Sequence, residues 1–272
     1  MKRLHAPKIP LSNLSHPFHL TDESPWPIIV SGFALGLTVG MVKWFHLAKL
    51  DLILIRLAII ITTAFIWWRD ISRERSFQGL HTEIVVNGLR WGIILFITSE
   101  VFFFLSFFWA FFHSSLAPNV ELGAQWPPMG IMTFNPWGVP FLNTVILLAS
   151  GVRVTWSHKR FEGNHHDQAL RALLLTIIMG LYFTFLQGME YVEATFRIAD
   201  SVFGSVFFVA TGFHGLHVIV GTLFLLVCLI RINGGSFRSK HHFGLLAAIW
   251  YWHFVDIVWL FLYSWVYSWS SL

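Results

Sequence analysis

The stretch LFITSEVFFFLSFFWAFFH, residues 95–113, is aromatic or aliphatic almost throughout and carries a single acid, Glu100. An apolar run of this length predicts a membrane-spanning helix, which needs about 20 residues. An unpartnered carboxylate at depth in such a helix costs about 2.5–3.5 kcal/mol even on lenient insertion scales. We therefore expect a role for Glu100, and three remain open: a neutral hydrogen-bonded group, an ion paired with a buried cation, or a step in a proton pathway.

The rest of the chain has the same apolar character. Only 12% of its 272 residues are charged and 56% are hydrophobic, whereas a soluble domain carries about 25% charged residues. Because so few charges cannot coat a water-facing surface, we expect an integral membrane protein. Its apolar runs are long rather than short and alternating, which favours helices over membrane strands.

Seven membrane-spanning helices are predicted, at residues 27–45, 51–68, 84–112, 138–157, 169–195, 203–230 and 244–268. The longest connection, residues 113–137, contains several prolines and glycines and is predicted to be a structured surface loop. Seven spans place the termini on opposite sides. The loops on the N-terminal side are rich in Lys and Arg, whereas the other side has only Lys43, Lys49 and Arg197. The N-terminus is therefore expected to face the cytoplasm or its organellar equivalent.

Three further features of composition bound the function. The single cysteine, Cys228, rules out an internal disulfide and a thiolate metal cluster, and we expect it to be a small buried hydrophobe. The net charge of +4 is expected to lie in loops on one side of the membrane rather than to bind nucleic acid. No cleavable presequence is expected, because a polar segment with Asp22 and Glu23 precedes the first apolar run.

Histidine is abundant, with fourteen residues, and raises the question of a metal site. His214 and His217 are three residues apart on one predicted helix, a spacing that a metal can use. His241 and His242 are adjacent at the border of the last span, where their side chains diverge. Since the HGLH motif stands alone within a span, we favour hydrogen-bonded or lipid-facing histidines over a metal centre.

Other polar residues lie within or near the ends of the later spans. His253 and Asp256 are three apart near the middle of the last helix and are expected to form an intramembrane polar pair, with a proton-conducting role as the alternative. Glu190 and Glu193 are expected at the outer end of the fifth span, within reach of water, with a metal site as the alternative.

The segment WWRDISRERSFQGLHTE, residues 67–83, joins the second and third spans on the positive side. It combines tryptophans, arginines, an acid and a histidine at the level of the lipid headgroups. Arginine forks and hydrogen-bond donors are what a lipid phosphate requires. Composition alone leaves open whether the segment binds lipid or is a solvated basic loop that only sets topology.

Eight stretches, in order along nearly the whole chain, resemble cytochrome c oxidase subunit III: SPWPI (24–28), WWRD (67–70), LFITSEVFFF (95–104), FFWAFFHSSLAP (107–118), WPP (126–128), LASG (148–151), SVFFVATGFHGLHVIVGTLFL (205–225) and HHFG…WYWHFVDIVWLFLY (241–263). The resemblance implies an all-α membrane protein whose first two helices are separated from the last five by a V-shaped, lipid-filled cleft. It divides the chain into an N-terminal segment (1–26), a two-helix group (27–68), a headgroup loop (69–83) and a five-helix group (84–272).

The same resemblance implies a non-catalytic core subunit with no cofactor of its own. Haem and copper belong to subunits I and II, which pass electrons from cytochrome c to oxygen and pump protons. Subunit III stabilises the core, holds structural phospholipids, supports proton uptake and contacts accessory subunits. The implied location is the mitochondrial inner membrane, with the N-terminus in the matrix and the C-terminus in the intermembrane space; a bacterial plasma membrane is the alternative.

Site residues follow from the resemblance position by position. Glu100 matches the buried carboxyl of the third span, a proton-related or lipid-anchoring group that is not catalytic. Eight positions match those associated with phospholipids: Trp68, Arg73, Glu74, Phe77, His81, Phe96, His217 and Arg231. One departure stands out, because Leu246 occupies the place of a glutamate that family members usually carry.

Three alternatives remain beside this interpretation. A related quinol oxidase has the same subunit, because subunit II determines the electron donor. A proton-coupled transporter or channel would use Glu100 and Asp256 as a relay, although the chain has no internal repeat. A histidine-ligated metalloenzyme would hold metal on the isolated chain.

Overall fold

The first span begins where two prolines flank a tryptophan. In the computed structural model, which describes residues 16–237, 239 and 242–271, helix α1 starts at Trp26 and carries Pro27 in its first turn. Proline is well tolerated there, because a first-turn N–H has no partner within the helix. Some residues used in the sequence analysis lie outside the described part of the chain, namely residues 1–15, Arg238, Lys240 and His241.

Seven helices of the described residues are long and apolar enough to cross a membrane. They are α1 (Trp26–Leu47), α2 (Asp51–Arg73), α3 (Glu83–Leu116), α4 (Val139–Glu162), α5 (His166–Glu193), α6 (Val202–Asn233) and α7 (Phe243–Phe261). Wider π-type turns extend α2 over Glu74–Gln78 and α7 over Leu262–Ser268. The predicted all-helical membrane fold and the number of spans are confirmed.

The helix ends differ from the predicted boundaries where charged residues leave the apolar run. The second helix, predicted to end at residue 68, continues with its π-type turns to Gln78, so most of the segment expected as a headgroup loop is helical. Charged side chains end a hydrophobic stretch but do not break a helix. What stops this one is Gly79, whose φ of 71° lies in the left-handed region that glycine adopts readily.

Residues 16–89 form one compact unit, in which α1 packs antiparallel on α2. At one end Lys43 Nζ lies 2.8 Å from Asp51, and at the other Trp26 donates its indole N–H to Asp70 over 3.1 Å. Gly40 is buried where the helices approach, and a Cβ there would lie 3.2 Å from Ile53. A small residue at such a crossing lets two backbones come close.

Residues 90–271 form the second unit, in which α4, α5, α6 and α7 pack against one another. Trp252 and Trp259 of α7 have no exposed surface, and they donate their indole N–H groups to Ser150 and Thr144 of α4. The α3 helix contacts α6 and α7 through aromatic rings, for example Phe104 against Phe254. Aromatic rings therefore fill the space between α3 and these two helices.

Candidate functional site

Glu100 lies near the middle of α3 and meets a histidine of α6. Its Oε2 lies 2.8 Å from Nε2 of His217, a residue 117 positions later in the chain. The side chains are 21% and 12% exposed, so the pair is largely shielded. Both residues come from the predicted site, and the structure joins them in one contact.

The second nitrogen of His217 shows how many protons the pair holds. Nδ1 lies 2.6 Å from the carbonyl oxygen of Phe213, one turn earlier on α6. Because a carbonyl oxygen can only accept, Nδ1 must carry a proton. The contact between Nε2 and Glu100 therefore contains one shared proton, on the carboxyl or on the imidazole, and the pair is neutral overall in both cases.

Aromatic rings surround the imidazole of His217. Phe104 meets it edge-on at 5.0 Å between ring centroids, and Tyr251 stacks on it at 6.2 Å. Phe96, another predicted site residue, stacks in turn on Tyr251 at 6.3 Å. In this apolar setting we expect the shared proton to lie on Glu100, because that form separates no charge.

This proton position predicts fast labelling of Glu100 by a hydrophobic carbodiimide, a reagent that attacks protonated carboxyls from the lipid phase. We expect Glu100 to react well before the exposed Glu193 of α5, as measured by mass spectrometry of the digested protein. The same signal should vanish in Glu100→Gln. Equal labelling of Glu100 and Glu193 would contradict a protonated Glu100.

The two histidines of the HGLH motif contact different helices. His214 is buried, and its Nε2 lies 3.2 Å from the carbonyl oxygen of Val255 on α7. Its ring packs against Phe183 and Trp259, whereas the ring of His217 faces α3. Three residues of helix separate the two rings enough for each to have its own partner, so the geometry favours hydrogen bonding for both.

His253 and Asp256 lie together on α7, at 3.5 Å between Nδ1 and Oδ2. The hydroxyl of Thr155 donates to the carbonyl oxygen of Gly151 and lies 3.1 Å from Nε2 of His253. The hydroxyl must therefore accept from Nε2–H, which leaves Nδ1 facing the carboxyl. Gly151 makes room for this group, because a Cβ there would lie 2.5 Å from Asp256 Oδ2.

The expectation that Glu190 lies within reach of water is wrong. Glu190 is only 2% exposed, and neither of its carboxylate oxygens has a hydrogen-bond partner among the described residues. Gln187, one turn earlier, donates to the hydroxyl of Tyr267, which is also buried. The helical period turns Glu190 inward, whereas Glu193 is exposed as predicted.

The predicted headgroup segment, residues 67–83, forms the end of α2 and the short connection to α3. Trp68 and Phe77 are 66% and 63% exposed, so both aromatic rings are open to the surroundings of the protein. Glu74 is half-buried and lies 4.0 Å from His19, a residue that sequence reasoning did not single out. The ring of His19 lies 5.6 Å from that of His81.

Polar contacts hold the N-terminal segment against this connection. Thr82 donates its hydroxyl to the carbonyl oxygen of Pro17 over 2.6 Å.

Nδ1 of His81 is buried and has no partner among the described residues. Burial, followed by the positive charge of Arg75 and then by His19, lowers the pKa of His81 below its ordinary value. The segment therefore combines exposed aromatics with a neutral, partly buried imidazole.

The last two positions singled out in the sequence lie on the other unit. Arg231 lies in the last turn of α6, and its guanidinium is 4.3 Å from the ring centroid of Phe237, a cation–π contact. Leu246 is half-buried in the first turn of α7. The apolar side chain there leaves this turn without an acidic residue.

Two groups of side chains within the described residues have the spacing of metal ligands. One is His19, Glu74 and His81, and the other is His158, Glu162 and His242. In each, the ligand atoms lie within 4.8 Å of one another. The sequence could not reveal either group, because each joins residues that are distant along the chain.

Comparison with known proteins identifies the family. A family model for cytochrome c oxidase subunit III matches residues 16–271. The cytochrome c oxidase subunit 3 of Locusta migratoria is 60% identical over 260 residues, which cover 96% of this chain and 99% of the relative. Those of Drosophila melanogaster (60% over 257 residues) and Paracentrotus lividus (59% over 256) each cover 94% of this chain and 98% of the relative. The resemblance of the motifs is thus confirmed, and the chain belongs to the cytochrome c oxidase subunit III family.

Proposed function

We propose that this chain is a non-catalytic core subunit of a cytochrome c oxidase in the mitochondrial inner membrane. The observation that carries the proposal is the match of the family model over residues 16–271, together with animal relatives that are 60% identical to this chain. The proposal includes subunits I and II as partners, which hold the haem and copper, and accessory subunits around them. It also includes an N-terminus on the matrix side, supported by the basic residues at the ends of α2, α4 and α6.

The test is purification through a tag on this chain in mild detergent, followed by an optical spectrum and a metal count. We expect haem and copper to copurify, to oxidise reduced cytochrome c and to leave when the partner subunits are stripped away. Haem that stays on the isolated chain would overturn the non-catalytic role. Oxidation of a quinol in place of cytochrome c would assign the chain to the related quinol oxidases.

We propose further that the end of α2 binds an anionic phospholipid. Trp68, Arg73, Glu74, Phe77 and His81 supply what such a lipid needs, namely exposed aromatic rings for its chains and polar groups for its headgroup. Arg73 is the exposed cation in the last turn of the helix. Phe96, His217 and Arg231, on the second unit, are proposed to bind phospholipid as well.

Replacing Arg73 by glutamine is expected to weaken retention of one anionic phospholipid by about tenfold or more, because a charge-assisted hydrogen bond contributes roughly 1.5–3 kcal/mol. The measurement is native mass spectrometry of the purified protein during exchange into lipid-free detergent. Arg69→Gln is the matched control, since Arg69 lies on the same helix but already forms an ion pair with Asp70 at 3.1 Å. Equal loss in both variants would show that only diffuse positive charge holds the lipid.

Stability of the α2–α3 connection should depend on pH through His81. Its pKa is lowered from 6.5 in the folded protein, so the unfolded chain binds the proton more readily. Stability is therefore full above about pH 6.5 and falls as the pH drops from there toward the folded pKa. The hydrogen-exchange protection of residues 79–83, measured against the intrinsic exchange rate at each pH, should fall over this acid range in the wild type and less so in His81→Gln. An equally steep acid response in that variant would assign the effect to other groups.

We propose that Glu100 has a proton-related or lipid-anchoring role, together with His217. A carboxyl and an imidazole that share one proton in mid-span can pass that proton between them while the pair as a whole stays neutral. The polar pair His253 and Asp256 has the same chemistry on α7. We propose a structural role for this pair, because two residues of α4 already accommodate it. Thr155 hydrogen-bonds His253, and Gly151 makes room for the carboxyl of Asp256.

A further inference from the structure

A polar cluster lies where α4 ends and α7 begins, and none of the functions above uses it. His158 and Glu162 are one turn apart in the last turns of α4, and His242 directly precedes the first residue of α7. The two histidines are 84 residues apart in the chain. They therefore connect two helices at the same end of the second unit.

The ligand atoms of this cluster are spaced like those around a tetrahedral metal ion. Nε2 of His158 lies 3.0 Å from Nε2 of His242 and 3.5 Å from Oε1 of Glu162. Zinc binds imidazole nitrogen and carboxylate oxygen at about 2.0–2.2 Å, which places neighbouring ligand atoms about 3.3 Å apart. The two distances lie on either side of this value, so small side-chain rotations suffice to admit an ion.

Surrounding residues hold the imidazoles and leave a path from water. The ring of Phe161 packs edge-on against His242, with 5.4 Å between the centroids. The side chain of His158 is 15% exposed, whereas that of Glu162 is 41% exposed. The histidines are thus partly buried and the carboxylate lies at the opening, where an arriving cation would meet it first.

We propose that His158, Glu162 and His242 bind a divalent transition-metal ion of the zinc type, with water in a fourth position. Two imidazoles and one carboxylate suit zinc and its neighbours in the first transition row, whereas calcium and magnesium prefer oxygen ligands. Lys159 forms a surface ion pair with the other oxygen of Glu162 at 3.2 Å. Oε1 remains directed at His158, so the carboxylate can serve both partners.

The bound ion would tie the end of α4 to the start of α7. His242 is the N-cap of α7, with non-helical angles of φ −132° and ψ 35°, and its carbonyl oxygen accepts from Leu246 N–H over 3.2 Å, so a ligand that fixes His242 acts directly on the first turn. A ligand that binds only the folded state stabilises it by mass action. Metal binding should therefore protect the first turn of α7 in particular from local unfolding. A hydrogen bond between the two histidines alone would protect it less.

The test uses the full-length chain, purified in mild detergent with the subunits that accompany it. After chelator treatment the protein is dialysed against Zn²⁺ and its zinc content is counted. We expect the wild type to bind one equivalent more than the double variant His158→Gln/His242→Gln. X-ray absorption at the zinc edge should show two imidazoles on that extra ion. The matched control is His165→Gln, an exposed neighbouring histidine outside the cluster, which should bind as the wild type does.

Variants of the exposed Glu162 decide the question if the double variant does not assemble. Glu162→Gln should bind zinc about tenfold or more weakly, because it loses a charged ligand. Glu162→His should restore the affinity with a third imidazole. Equal zinc content in the wild type and the double variant, or equal affinity in all Glu162 variants, would overturn the proposal and leave an ordinary hydrogen bond between His158 and His242.

Discussion

Replacing Glu100 by alanine is expected to lower the free energy of unfolding by about 1–3 kcal/mol, the cost of leaving the buried acceptor Nε2 of His217 without its hydrogen-bond partner. His217 would remain within its aromatic surroundings, with Nδ1 still bonded to the carbonyl of Phe213 and Nε2 facing an empty space. Water reaches this position poorly, since the imidazole side chain is 12% exposed. The measurement is equilibrium unfolding of the purified protein in mixed micelles.

The conservative variant separates the loss of the carboxyl group itself from the loss of the side chain's volume and hydrogen bond. Glu100→Gln keeps the size of the side chain, and its amide N–H can donate to Nε2 of His217. We expect this variant to lose less than about 1 kcal/mol, because the hydrogen bond to His217 is kept. A Glu100→Gln variant as unstable as Glu100→Ala would mean that the pair is an ion pair whose charges matter more than its hydrogen bond.

The sequence predicted the elements of the fold better than their contacts. Long apolar runs predict spans reliably, because every backbone polar group in lipid must be satisfied within a helix. The same reasoning ended the second span at residue 68, because hydrophobicity reports where a helix leaves the membrane and not where its hydrogen bonds stop. The structure continues this helix and its π-type turns to Gln78.

The site was predictable as single residues and not as pairs. A carboxyl in an aromatic run is conspicuous on energetic grounds alone, and so is a histidine in a span. The contact between Glu100 and His217 depends on how α3 lies against α6, and the two residues are 117 positions apart in the chain. Glu190 shows the opposite error, because its distance from the predicted helix end suggested water while its position on the helix turns it into the core.

The second large effect is expected at Trp252, where one side chain of α7 touches three other helices. Its indole N–H donates to Ser150 of α4 over 2.8 Å. Its ring fills the space beside two glycines: a Cβ at Gly180 of α5 would lie 2.7 Å from the ring, and one at Gly221 of α6 would lie 3.0 Å from it. We therefore expect Trp252→Ala to cost about 3–5 kcal/mol through the cavity it leaves.

Two comparisons make this prediction specific to packing. Trp252→Phe keeps most of the ring and should cost clearly less, because the hydroxyl of Ser150 still donates to the carbonyl of Leu147. Trp109→Ala removes a tryptophan that is 73% exposed and should change the stability of the purified chain by less than about 1 kcal/mol. Equal losses at Trp109 and Trp252 would show that tryptophan content, and not the contact between helices, sets the stability.

A second substitution at the same contact tests whether the cavity itself is the cause. In the wild type, Gly180→Ala should be destabilising by about 1–3 kcal/mol, because the new Cβ would lie 2.6 Å from Thr222 and 2.7 Å from Trp252. Combined with Trp252→Ala, the same methyl group enters the vacated space and should cost less than it does alone. Association of helices in lipid rests on packing more than on exclusion of water. Strict additivity of the two changes would therefore place their effects outside this contact.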